Sequence, residues 1–251
     1  GGKVVRELDG EKNAGINRVH WDLRYTAPVE PTPEQREAQE QGFFGGPRGP
    51  RVDPGEYTVK VVAGKNEETQ KITVLEDPRI AIRPEDRAAR REMLDKLYEM
   101  DKTADQGRKT IKGLKASLEA ARAGWKKPDA PKIPEAITKS AEELAKKIEA
   151  LEGSFIAPEE AQGFAGAPLT YTPPPLTQRV GQLMAELDGY TAAPTAAQRE
   201  ELTALEPLLR QATDKLRKLV DEDLANLNKA LNEAGVPHIT AAPPATEKSQ
   251  P

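Results

Sequence analysis

Cysteine is absent from the 251 residues, which excludes disulfides and thiolate chemistry and leaves the redox compartment open. Aromatic residues make up 4% of the chain and hydrophobic ones 37%, so any core is thin and aliphatic. Histidine occurs only at His20 and His238, and without cysteine such remote residues argue against a transition-metal site. No run approaches the roughly 18 apolar residues of a membrane helix, so no membrane span is expected. No basic stripe with interleaved aromatics is present, which argues against a nucleic-acid partner. The serines, Ser117, Ser140, Ser154 and Ser249, lie outside any Gly-x-Ser-x-Gly elbow. Glycine-rich phosphate loops and Asp-rich calcium loops are missing as well. Acids come in adjacent pairs, Glu67-Glu68, Glu142-Glu143, Glu200-Glu201 and Asp221-Glu222-Asp223. Neighbours in sequence do not face one another on a helix, so these read as solvated surface rather than a glycosidase pair. The chain is therefore expected to be non-enzymatic, with no catalytic residue, cofactor or metal.

Charge and chain-breakers are abundant instead. Charged residues reach 31% at a net charge of −4, and there are 22 Pro and 19 Gly. That mixture suits exposed helices joined by turn-rich linkers. Residues 1–80 read as β. The opening Gly1-Gly2-Lys3-Val4-Val5 runs directly into a strand and suggests a longer polypeptide upstream. Val19, Trp21 and Leu23 alternate with His20, Asp22 and Arg24, the period of a half-buried strand. Asp53-Pro54-Gly55 is a turn, after which Tyr57, Val59 and Val61 share one face, and Gly64-Lys65-Asn66 reverses the chain. A meander of this size is expected to bury one face against a second sheet, giving a sandwich with Val19, Trp21, Leu23, Tyr57, Val59 and Val61 as its core. Residues 26–50 form a long Pro/Gly-rich loop, whose adjacent Phe43 and Phe44 either fold back over the sandwich or contact a partner.

From Pro84 the period changes. Met93, Leu97, Met100, Ala104, Gly107, Ile111, Leu114, Leu118, Ala121 and Trp125 alternate steps of four and three, the seam of a long amphipathic helix with a narrow middle. After a Pro-rich linker at 126–134, a second seam runs Ile137, Ala141, Leu144, Ile148, Leu151 and Phe155. Another linker at 156–175 leads to a third, Leu176, Val180, Leu183, Leu187 and Tyr190. Thr195 caps a fourth that carries Leu202, Leu205, Leu209, Ala212, Leu216, Leu219/Val220, Leu224, Leu227 and Leu231, with a kink or missing bond expected from Pro207. Gly235 and Pro237 stop it, and residues 240–251 read as a disordered tail. The architecture expected is α+β and multidomain: a small antiparallel sandwich over 1–80, then an antiparallel bundle of about four long helices over 81–239. Leu97, Ile111, Leu114, Leu118, Leu144, Ile148, Leu183, Leu187, Leu209, Leu216 and Leu227 are its expected core.

The segments Gly2 to Arg6, Gly15-Ile16-Asn17-Arg18-Val19-His20-Trp21-Asp22-Leu23-Arg24 and Pro54-Gly55-Glu56-Tyr57-Thr58-Val59-Lys60-Val61 resemble an Ig-like, fibronectin type III-like domain. They are similar to the Ig-like domain of the flagellar hook-capping protein. With Thr73 to Arg79 leading into helices, residues 1–239 resemble the C-terminal region of bacterial sortilin-like proteins, in which an Asp-box β-propeller labelled glycosyl hydrolase precedes this segment. The resemblance implies export to the periplasm or beyond and carries no catalytic residue onto this chain. The function expected is a structural or interaction module of a larger exported β-propeller protein. Its partner would be the upstream propeller, a second copy or a cell-envelope assembly. The alternatives are a carbohydrate-binding accessory region of a secreted glycoside hydrolase and a subunit of a large cell-envelope assembly.

Overall fold

The computed structural model describes residues 2–31, 37, 46–128, 132–157 and 173–241. Phe43 and Phe44 lie outside the described residues, as do residues 129–131 of the first linker, 158–172 of the second and the chain end from residue 242. Two compact units make up the chain, Gly1–Tyr98 with Met184–Gln198, and Glu99–Leu183 with Arg199–Pro251.

In the first unit the expected sandwich does not form. The described residues contain one sheet of two antiparallel strands, β1 (Gly55–Ala63) and β2 (Asn66–Val74). Their register pairs Tyr57 with Ile72, Val59 with Gln70 and Val61 with Glu68, and Gly64 turns the hairpin at a positive φ of 64°. The alternation in β1 is genuine, but no second sheet covers it. Val59 and Val61 are 39% and 58% exposed, so neither is a core residue.

The segment that carries Val19, Trp21 and Leu23 is not a strand either. Val19 and Leu23 are 48% and 44% exposed, and Leu23 takes a left-handed φ of 57°. Asp22 explains the break: its Oδ1 accepts the Arg24 amide at 3.2 Å, a local turn that competes with extended structure. Backbone pairing along this N-terminal stretch is limited to an isolated antiparallel bridge, Arg24 with Arg51, and a few hydrogen bonds among the described residues. The Thr26 amide donates to Val5 at 3.0 Å, Tyr25 to Pro50 at 3.0 Å and Val52 to Leu23 at 2.9 Å. Trp21 and Tyr57 remain half-buried, packed edge to face with centroids 5.5 Å apart. The unit's apolar core instead comes from helices, with Met93, Leu94, Leu97, Met184 and Leu187 buried.

Helices dominate the rest: α1 (Pro84–Trp125), α2 (Glu135–Phe155), α3 (Leu176–Asp188), α4 (Ala196–Lys218) and α5 (Ala225–Glu233). A π-helical segment, Leu219–Leu224, joins α4 to α5. In the second unit α1 and α2 run antiparallel, since Gly107 meets Phe155, Lys115 pairs with Glu152, and Arg122 lies beside Glu142. The small residue at 107 has a direct purpose. A Cβ there would lie 2.4 Å from the Phe155 ring, which is fully buried against the helix backbone. Ile111, Leu114, Leu118, Leu144, Ile148, Leu183, Leu209, Leu216 and Leu227 are buried in this unit, and Leu97 and Leu187 in the other.

Two sequence details resolve in the fourth seam. Thr195 and Gln198 exchange side-chain bonds to each other's amides at 3.2 and 3.0 Å, a reciprocal cap at the start of α4. Leu219 and Leu224 are both buried although five residues apart. A π turn absorbs that step by admitting one extra residue, which keeps the stripe on one face and leaves Asp223 to pair with Lys147 of α2 at 2.6 Å. Helix α4 runs on through Pro207, whose position is exposed, so its missing N–H costs the Thr203 carbonyl a partner on the solvent side. Beyond α5, Gly235 at φ 69° and the Val236 amide bonded to Leu231 O at 2.9 Å close the helix. Asn228 then clasps the backbone N–H and C=O of Ile239, both at 2.8 Å.

Candidate functional site

A dense polar constellation in the first unit centres on Asp188, the last residue of α3. An acid is the wrong sign for a helix C-terminus, and no basic residue occupies that helix's last turn. Cations arrive instead from elsewhere in the chain. Arg90 of α1, whose side chain is 8% exposed, donates Nε to Leu187 O and Nη2 to Asp188 O, both at 3.2 Å. It thereby satisfies two carbonyls that the helix end leaves without partners. Its Nη2 also lies 3.5 Å from Asp188 Oδ1. Arg24 places Nη1 2.6 Å from Asp188 Oδ2 and 2.8 Å from Gly49 O, and the Arg51 amide donates to Asp188 Oδ1 at 2.9 Å. Burial lowers the Arg90 pKa, and Asp188 opposes that shift.

The left-handed turn at Leu23 is what brings Arg24 to this carboxylate. The rest of the motif completes the clasp. Trp21 Nε1 donates to Arg24 O at 2.9 Å, and Tyr57 OH donates to Asp53 O at 2.7 Å. Arg91 lies over the Tyr25 ring at 5.2 Å, donates Nη2 to Arg51 O at 2.6 Å, and holds Nε 3.0 Å from Asp53 Oδ2 as an ion pair. Gly49 is fixed by the close approach of the Tyr25–Thr26 backbone, which leaves no room for a Cβ. The Tyr57 hydroxyl has a raised pKa, first from burial and then from Tyr25 and Asp53, with Arg91 pulling the other way. The cluster pairs Arg24 and Arg90 with Asp188 and Arg91 with Asp53, and so ties the Arg24 and Asp53 segments to α1 and the end of α3.

The clasp anchors the base of the β1–β2 hairpin and leaves its far end bare. Tyr57, Ile72 and Val74 are half-buried at the base, whereas Val59 and Val61 on the same face are exposed. The opposite face carries charge: Lys71 pairs with Glu56 and Lys60 with Glu67, both at 2.9 Å. Within this unit the structure brings together Trp21, Tyr57 and the base of the hairpin. It does not bring Val19 or Leu23 into a common core with them. Sequence reasoning missed Asp188, Arg90 and Arg91, and read Arg24 as a solvent-facing strand residue. The available signal was an acid ending a helix without basic neighbours.

Among the described residues no group of three or more His, Cys, Asp and Glu could hold a metal ion, and no helix is long and apolar enough to cross a membrane. Compared with protein-family models, curated proteins and solved structures, the chain finds no match.

Proposed function

We propose that the chain is a non-catalytic docking module that presents its hairpin to another protein surface. One observation carries the reading: a hairpin of nine-residue strands stands uncovered with Val59 and Val61 exposed on one face, while a buried ion-paired clasp fixes its base. A two-stranded hairpin is marginal alone in water, and an uncovered sheet edge is a template for further pairing. The resemblance of the Trp21-Asp22-Leu23-Arg24 and Pro54-Gly55-Glu56-Tyr57 motifs to bacterial sortilin-like proteins supports an exported β-propeller protein as the parent, acting in the periplasm or outside the cell.

A carbohydrate platform is the weaker reading because Trp21 and Tyr25 are already engaged. Trp21 meets Tyr57 edge to face, and Arg91 covers Tyr25. The test is the native mass of the protein as isolated from its source, compared with that of a form in which a short Gly/Ser linker replaces residues 55–74. An assembly lost with the hairpin while helical circular dichroism persists supports docking. An assembly that survives the deletion, or a lone chain in both forms, overturns it.

A further inference from the structure

The docking reading leaves the occupant open, and the hairpin's own chemistry selects one. We infer that β1 pairs edge to edge with β1 of a second copy, antiparallel about Thr58. This rests on the docking reading and commits it to a homotypic contact.

The geometry of the free edge comes first. A two-residue turn closes Ala63 on Asn66, so Gly55, Tyr57, Val59, Val61 and Ala63 direct their backbone groups toward β2. The outward N–H and C=O groups of β1 therefore belong to Glu56, Thr58, Lys60 and Val62, and among the described residues the sheet ends there. A two-fold contact about Thr58 sets Glu56 opposite Lys60 of the second copy, twice by symmetry. Those are the positions that exchange outward hydrogen bonds, so register and ladder agree.

Charge and hydrophobicity select the same register. Lys60 already pairs with Glu67 and Glu56 with Lys71 inside each hairpin. The dimer would extend this into a row of alternating sign: Glu67, Lys60, then Glu56 and Lys71 of the second copy. A contact about Lys60 would oppose two lysines, and one about Val59 would set Glu56 against Val62. On the other face the Thr58 register places Tyr57 beside Val59 of the second copy. Val59 and Val61, 39% and 58% exposed in the lone hairpin, then lie on the same face as the Tyr57 rings of both copies.

The test is sedimentation or light scattering of the full chain across a wide concentration range. The wild type is expected to rise from its 27.4 kDa toward twice that mass. Lys60→Glu and Glu56→Lys each place like charges opposite one another in the dimer. Each alone should stay at the chain mass, and an equimolar mixture of the two should regain the doubled mass. A wild type that stays single at every concentration overturns the homotypic contact and leaves docking to a different protein to the isolation experiment above. Single variants that associate as the wild type does overturn the Thr58 register.

Discussion

Asp101 sits on α1 in the second unit with 6% of its surface exposed. Its carboxyl pKa is pushed up from 3.8 to about 6, first by burial and second by Asp105 one turn away, with Arg108 acting against the shift. A folded-state pKa above the unfolded one means that the folded chain binds the proton more tightly. Stability is then complete below pH 3.8 and declines as pH rises toward about 6. The shift of about 2 units corresponds to roughly 3 kcal/mol of destabilisation once the group is fully ionised, at about 1.4 kcal/mol per unit. Asp101→Asn removes the charge and keeps the volume. It should stabilise the protein by about 2–3 kcal/mol near pH 7.5 and by less than about 1 kcal/mol near pH 4. Urea unfolding followed by helical circular dichroism at both values reads the difference directly. A variant equally or less stable than the wild type at pH 7.5, or an advantage that does not shrink with acid, would refute the reasoning.

Other substitutions probe other parts of the fold. Gly107→Ala drives a methyl into the buried Phe155 ring and should cost about 1–3 kcal/mol, with Phe155→Leu in the same chain recovering part of the loss, as measured by urea midpoints. Asp188→Asn leaves Arg24 and Arg90 without their carboxylate and should cost about 3–5 kcal/mol, with earlier proteolysis of the N-terminal segment as a second readout. Pro207→Ala returns an N–H to an exposed position of α4 and should raise stability by up to about 3 kcal/mol, seen as a higher thermal midpoint.

The helices were legible because each buries a stripe at steps of three and four. The same pattern also pointed to a narrow seam at Ala104 and Gly107, and Phe155 packs at Gly107. The π segment was half visible. Leu219 and Val220 compete for one seam position, and only the five-residue step to a buried Leu224 shows which of them is used. The hairpin over Gly55–Val74 was legible, but the stretch around Trp21 was misread, and the sandwich with it, for a physical reason. Alternation requires an extended backbone, but Asp22 captures the Arg24 amide and Leu23 turns left-handed, so the pattern around Trp21 serves a turn. The clasp itself was beyond local pattern, because Arg24 and Asp188 are 164 residues apart and meet only through the tertiary fold.

The free edge of β1 is the feature on which the functional reading depends, and residue-resolved amide hydrogen exchange in dilute solution tests it most directly. Amides of Tyr57, Val59 and Val61, which face β2, should be protected, while those of Glu56, Thr58, Lys60 and Val62 exchange as open chain. Uniform protection along β1 at that dilution would contradict the reading, because it would place β1 inside a wider sheet with no edge to offer.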